Sequence, residues 1–390
     1  MSKFYWDIEQ QVACDPCVDD GVRKLVQRQQ EDGFGFPEYW TSGLTIEKFS
    51  ESYEQILLDR APLGKRDALL TILAQEKKQS SNLMVEKRRL PTSLAEFGAY
   101  KILWRSFRGI GFPGTKRKGD PDAIHDGCFL CLHNTPSRQR GLRMTTLSGA
   151  AKHVALMNPF PILENQVTLA SLEHEPQELS LAHTLFVLEI AMRSRKFRYT
   201  FNGVGAGATI PDHFHFYGFT TPLPLEQSKM HTTIYQKDDS LHVGTLGPNW
   251  PVFAIVATGE NQRLASFVAT LAARFSNVSV AINVLFTPSA DGSVYVLPRH
   301  RETPSADTGF KNRFGVVEMG GILVAESTAA YCAADAQTFT RAVRDVGYQT
   351  SLDVITERFL TDVVKKAACH SAKEPLKGRP PHRSGSSSGK

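Results

Sequence analysis

Apolar positions recur every three or four residues along "ELSLAHTLFVLEIAMRSRK", residues 178–196, and basic residues close the run, so this stretch predicts a helix. The same period in "ENQRLASFVATLAARFS", 260–276, predicts another. Around them the pattern shortens to strand-length runs broken by turn residues: "HVALMNPFPI", "NQVTLASLEH", "FRYTFN" and "VFAIVATG". "VSVAINVLFT" and "SVYVLPRH" read as a hairpin around Asp291 and Gly292. Upstream of Val154 the character differs. "TIEKFSESYEQILLDRA" predicts a helix opening at Thr45, and "RDALLTILAQEKKQSSNLMVEKRRL" continues the helical reading. Gly and Pro are frequent from Gly109 to Pro136, which marks a loop-rich region, and "KEPLKGRPPHRSGSSSGK" reads as a disordered tail. No repeat of solenoid period is present. Antiparallel strands with segregated helices predict an α+β class.

With 390 residues, 41% hydrophobic and 22% charged, the chain can bury one large core or two medium ones. No apolar run approaches the roughly 20 residues that cross a bilayer, so no membrane association is expected. The opening "MSKFYWDIEQQ" is acidic and polar by its tenth residue, unlike a secretory leader, and six cysteines in so long a chain make no disulfide scaffold. Both point to the cytoplasm. A net charge of +5 suits an anionic small-molecule substrate. It falls short of a nucleic-acid footprint, and the basic runs "EKRRL" and "TKRKGD" lack interleaved aromatics and read as solvated loops. No nucleic-acid partner is expected.

The chemistry concentrates in "GATIPDHFHFYGF", 207–219. In an extended strand His213, His215 and Tyr217 share one face, while Phe214 and Phe216 take the other and can anchor it in a core. Glycines at 203, 205 and 207 precede the strand and admit close approach of an anion to backbone amides. Three readings compete. A buried histidine pair without a task is costly to desolvate. A cupin-type metal oxygenase would want a glutamate four or five residues after the second histidine, where Phe219 and Thr220 stand. A nucleophilic imidazole attacking phosphorus needs one ring nitrogen as a bare lone pair while the other donates to a fixed acceptor. This third reading fits best.

"FNGVGAGATIPDHFHF" resembles the N-x-G-x-x-A-G-x-[ST]-x-x-H-x-H pattern of the histidine-triad superfamily. It is especially similar to the branch of galactose-1-phosphate uridylyltransferase, diadenosine tetraphosphate phosphorylase and the GDP-hexose phosphorylases. "CFLCLHNTPSRQRGL", "NPFPILENQVTLASLEHEPQ", "INVLFTPSADGSVYVLPRHRE" and "GVVEMGGILVAE" resemble further blocks of that branch in the same order. The resemblance implies a histidine-triad-like antiparallel sheet core in two half-barrel-like parts with packed helices. The expected organisation is a helical N-terminal extension over 1–90, the core over 91–330, a helical segment over 331–372 and the tail over 373–390. It implies His215 as nucleophile, His213 beside it in the catalytic pair, and Tyr217 at a place usually held by a phosphate-contacting glutamine.

Asn158, Asn202, Gly205, Gly207 and Thr209 become substrate-binding candidates, with Arg299 and Arg301 as guanidinium forks for phosphate. Cys128 and Cys131 have the C-x-x-C spacing that bites one zinc. The relatives imply His174 and His213 as the remaining ligands of a structural zinc, with no cofactor required for the chemistry. Cys14 and Cys17 read as an incidental surface pair, and Cys332 and Cys369 as thiols without a role. The expected activity is phosphorolysis of a nucleoside-diphosphate sugar or a dinucleoside polyphosphate by a nucleotidyltransferase using inorganic phosphate. Hydrolysis and a catalytically silent nucleotide-binding protein are the alternatives. Relatives also suggest a homodimer.

Overall fold

The computed structural model describes residues 162–228, 230–237, 240–288, 292–325 and 333–349. It also describes strands at 84–89, 100–105, 141–145 and 152–157 and isolated positions at 67–74, 128–131, 158 and 360–364. The expectations for the helix at Thr45, for Cys14, Cys17, Cys332 and Cys369, and for the tail lie outside the described residues. Among the described residues no helix is long and apolar enough to cross a membrane.

Ten strands form one antiparallel sheet built of two five-stranded halves. The first half contains β3 (Gly141–Thr145), β4 (Lys152–Met157), β5 (Val167–Ser171), α1 (Leu181–Met192), β6 (Arg198–Asn202) and β7 (His215–Phe219). The second contains β8 (Met230–Lys237), β9 (Leu241–Leu246), β10 (Ile255–Gly259), α2 (Asn261–Asn277), β11 (Ala281–Phe286) and β12 (Val294–Arg299). Strand order is β3-β4-β5-β7-β6 in one half and β8-β9-β10-β12-β11 in the other, and β6 pairs with β11 at the centre. The same succession, three strands, a helix and two strands, thus occurs twice. The implied α+β core of two sheet parts with packed helices is the architecture found, its parts fused edge to edge.

Helix α1 starts at a capping box, in which Ser180 Oγ accepts from His183 N at 3.2 Å and Ser180 N donates to His183 Nδ1 at 3.3 Å. Phe186, Val187 and Leu188 are consecutive and all buried, so α1 is covered on most sides, against the sheet and against α2. Helix α2 buries Leu264, Phe267, Val268, Leu271 and Phe275 at helical spacing. These residues meet Phe197, Phe201, Phe214, Phe216, Val284 and Val296 on one sheet face, the main core.

On the opposite face two smaller clusters form. Near the end of the chain α3 (Val316–Met319), β13 (Ile322–Ala325) and α4 (Ala336–Val346) lay Phe314, Met319, Phe339 and Val343 against Leu285, Tyr295, Leu297 and Phe219. Near β4 and β5, Cys128, Leu130 and Cys131 pack on Val154, Leu156 and Ala170.

Three elements depart from expectation. The helical reading of Met84–Arg89 is corrected: it is strand β1, paired antiparallel with β2 (Tyr100–Arg105), and its "EKRR" is therefore no loop. Strand pairing outweighs weak local propensity here: β2 sits between β1 and the parallel strand β13 and joins them in one three-stranded sheet. The β8–β9 hairpin was not foreseen, since its polar runs carry two register shifts that break the alternation.

Candidate functional site

The face opposite the helices, between the cysteine cluster and the C-terminal apolar cluster, carries Thr168 and Ala170 of β5, His215 and Tyr217 of β7, Thr200 and Asn202 of β6 and Asn283 of β11. The alternation of β7 produces this arrangement: Phe214 and Phe216 enter the main core, so their neighbours must face the other way.

His215 is 1% exposed. Its Nδ1 lies 2.9 Å from the carbonyl oxygen of His213. A carbonyl only accepts, so Nδ1 carries the proton and Nε2 is a lone pair. That Nε2 is buried and has no hydrogen-bond partner among the described residues. Burial is the main force drawing the pKa of His215 down to about 4, against the carbonyl of His213, which raises it. The ring of Tyr217 stands edge-on, 5.2 Å away between centroids, and its Oη is 3.3 Å from Thr209 Oγ1. Burial pushes the Tyr217 phenol above its usual range. Thr200, register partner of Tyr217, also holds a buried hydroxyl without a partner among the described residues. Two unpartnered polar atoms on one face of adjacent strands are a cost that a bound ligand can relieve. Thr200 was missed in the sequence, although alternation through Asn202 places it on the same face.

His213 is engaged on both sides. Its Nε2 lies 2.9 Å from the carbonyl oxygen of Ser171, so it donates there and turns an Nδ1 lone pair to Cys128 Sγ at 3.3 Å and Cys131 Sγ at 3.5 Å. His174 Nδ1 is 3.3 Å from Cys131 Sγ. The four ligand atoms all lie within 4.8 Å of one another. Tetrahedral zinc with ordinary Zn–S and Zn–N bonds sets ligand atoms about 3.3–3.8 Å apart, so the donor set fits this ion. The Ser171 carbonyl supplies the outer hydrogen bond that orients such a ligand. With both nitrogens occupied, His213 keeps no atom for a substrate, which corrects its assignment to the chemistry.

The glycine loop holds its shape by using its own amides. Gly203 N donates to Ile282 O and Ala206 N to Gly203 O, each at 2.9 Å, and Gly207 N points to Glu302 Oε1 at 3.4 Å. Gly205 and Gly207 have φ of +79° and +86°, and a Cβ on Gly207 would stand 2.5 Å from the carbonyl oxygen of Phe314. The glycine there admits the neighbouring backbone of 314–315 rather than an anion. Thr209 at the loop's end is exposed.

Arg299 departs most from expectation. It is 1% exposed, and all five of its N–H groups have protein acceptors. Nε donates to Val346 O at 3.2 Å, Nη1 to Asn283 Oδ1 at 2.6 Å and Phe314 O at 2.8 Å, and Nη2 to Arg301 O at 2.9 Å and Glu302 O at 3.4 Å. Burial lowers its pKa to about 10, with Glu318 and Glu302 opposing, so it stays charged at neutral pH. Arg301 turns to Asp345 at 3.6 Å. Neither is set as a phosphate fork. Asn202 joins the same polar network: its Oδ1 accepts from Asn283 Nδ2 at 2.7 Å and Val316 N at 2.9 Å. Asn158 is half-buried after β4, a strand separated from β7 by β5.

A sequence family described as "Domain of unknown function (DUF4922)" matches residues 112–220, from ahead of the cysteine pair to the end of the histidine strand. No curated protein matches the chain. Among solved structures, yeast Ap4A phosphorylase Apa2 in complex with Ap4A is similar at 14% identity and a TM-score of 0.50, covering 73% of this chain and 99% of that one. The same yeast protein in complex with AMP is similar at 13% identity and a TM-score of 0.48, covering 73% and 96%. A DUF4931 family protein from Bacillus cereus ATCC 10987 gives 13% identity and a TM-score of 0.31 over 57% and 96%. The chain has the histidine-triad-like fold that its motifs resemble.

Proposed function

We propose that this protein is a nucleotidyltransferase of the phosphorylase type, acting on a nucleoside-diphosphate sugar or a dinucleoside polyphosphate through a nucleotidyl group carried on His215. One observation carries the reading: the buried Nε2 of His215 is a lone pair without a partner among the described residues, with the ring proton fixed on Nδ1 by the carbonyl of His213. In the first half-reaction Nε2 attacks the α-phosphorus. The N–P bond forms as the bond from phosphorus to the bridging oxygen breaks, and the remaining phosphate ester leaves as an anion. The imidazole, now formally cationic, is stabilised by the His213 carbonyl. In the second, an oxygen of inorganic phosphate attacks the same phosphorus, the N–P bond breaks and the neutral ring returns.

Tyr217 and Thr209 offer hydroxyl donors to the non-bridging oxygens, and Thr200 a third. A zinc held by Cys128, Cys131, His174 and His213 would brace the strand behind the nucleophile and take no part in the chemistry. The shared fold of a yeast protein whose structure holds Ap4A supports a substrate of this kind.

A second reading, nucleotide binding without turnover, is favoured by one observation. Arg299 and the amides of Gly203, Ala206 and Gly207, all natural phosphate donors, are committed to the fold. Incubation with radiolabelled dinucleoside polyphosphates and nucleoside-diphosphate sugars separates the two. The proposed function predicts an acid-labile, base-stable protein adduct that disappears in His215→Ala. Tight nucleotide binding with neither adduct nor turnover would establish the second reading instead.

A further inference from the structure

Strands β6 and β7 pair directly from Arg198–Phe219 to Thr200–Tyr217. Two residues further along the same register Asn202 would face His215, but there the ladder passes through a side chain. Gln177, 2% exposed, accepts on Oε1 from the backbone N–H of His215 at 2.8 Å. Its Nε2 donates to the carbonyl oxygens of Asn202 and His215, both at 3.0 Å. A carboxamide carries the donors and acceptor of a peptide group, so it satisfies both strand ends while standing between them. The wedge is itself anchored. Gln177 N donates to Pro211 O at 3.3 Å, and Phe214 N donates to Glu175 O at 2.7 Å.

Given the reading of His215 as nucleophile, we infer that Gln177 is the positioning residue of that nucleophile and keeps the ends of β6 and β7 apart beside it. The peptide groups at 213 and 215 must hold their relative orientation for Nδ1 of His215 to reach the carbonyl of His213 at 2.9 Å. Gln177 fixes the 215 end of that pair through both its N–H and its C=O. The residue touches no reacting atom. It acts by setting where Nε2 points.

Two variants test this. Gln177→Leu removes all three bonds at similar volume. Gln177→Glu keeps the acceptor for His215 N–H, removes the two donors, and serves also where the first folds poorly. Native-state hydrogen exchange should show the His215 amide exchanging at least about tenfold faster in Gln177→Leu, with Leu285 of β11 unchanged. Gln177→Glu should retain part of that protection. With diadenosine tetraphosphate and inorganic phosphate as probes, kcat should fall about a hundredfold while KM moves less than about threefold, since misplacement affects the reaction more than binding. Unchanged protection of His215 in Gln177→Leu overturns the inference, and so does lost protection with unchanged kcat. A wild-type protein that turns over neither this probe nor nucleoside-diphosphate sugars in the presence of phosphate sinks the nucleophile reading instead. The exchange measurement then decides alone whether Gln177 holds β7.

Discussion

Arg299 Nη1 donates to Asn283 Oδ1 over 2.6 Å, from the last residue of β12 to the facing strand β11. Asn283 in turn donates to Asn202 Oδ1 and to Ala206 O, each at 2.7 Å, so one guanidinium holds the central strands and, through them, the glycine loop. Arg299→Met would take a donor from five acceptors, three of them in buried bonds, and of these Asn283 Oδ1 and Phe314 O would lose their guanidinium partner inside the core. The expected loss is at least about 3 kcal/mol, read as a lowered urea midpoint. An unchanged midpoint with a raised KM for phosphate would restore the substrate role.

Replacing His215 tests a separate claim. His215→Asn should reduce adduct formation at least about a thousandfold, because a carboxamide nitrogen has no free lone pair with which to form the N–P bond. Its nucleotide affinity, measured by calorimetry, should stay within about tenfold. An adduct persisting at full rate in this variant would move the chemistry elsewhere.

The cysteine–histidine cluster predicts zinc in the purified protein, close to one ion per chain by elemental analysis. Cys128→Ser and Cys131→Ser should each lose most of it. Chelation should lower stability by about 3 kcal/mol or more, since an ion that binds only the folded state stabilises it by mass action. Equal melting temperatures with and without chelator, and no retained metal, would leave the cluster as packed thiols.

His153 supplies a pH dependence away from the site. It is fully buried, stacked on Phe186 at 4.0 Å, and neither ring nitrogen has a hydrogen-bond partner among the described residues. Burial above all, then His183 and His213, brings its pKa down to about 3 from an ordinary 6.5. A depressed folded-state value means the unfolded chain takes up the proton first. This contribution is therefore complete above pH 6.5 and is lost between 6.5 and about 3, at about 1.4 kcal/mol per pH unit. His153→Phe should flatten the acid limb of a stability–pH curve. An identical limb in that variant would refute the assignment.

Gly207→Ala brings a Cβ to 2.5 Å from the Phe314 carbonyl at a φ of +86°. A loss of about 2–3 kcal/mol is expected in chemical denaturation, with the strain concentrated where the loop meets Phe314 and Gly315. A neutral result would mean the loop relaxes freely.

The parts of this molecule legible in the sequence are those governed by period. Alternation in "HFHFYGF" separates the core phenylalanines from the site, and the C-x-x-C spacing anticipates two members of the cluster. Arg299 was misread because a guanidinium meets phosphate and carbonyl oxygens with the same fork, and only tertiary packing decides between them. Gln177 left no trace, since its partners lie 25 and 38 residues on and no spacing rule connects them. The two-part core was legible only through the family resemblance, not through any internal repeat. β7 reads "HFYGF" and β12 reads "VYVLPR", so the halves share a pattern of burial without sharing residue types.

Ile322 lies beside Tyr100 in the three-stranded sheet although roughly two hundred residues of chain run between them. Closing so large a loop carries an entropic penalty that no contact repays until the intervening sheet has condensed. Strand β2 therefore waits for β13, which is synthesised roughly two hundred residues later. A chain truncated before residue 322 would leave that flank of β2 unpaired and open to other polypeptides, so the seam is sealed only once β13 has been made.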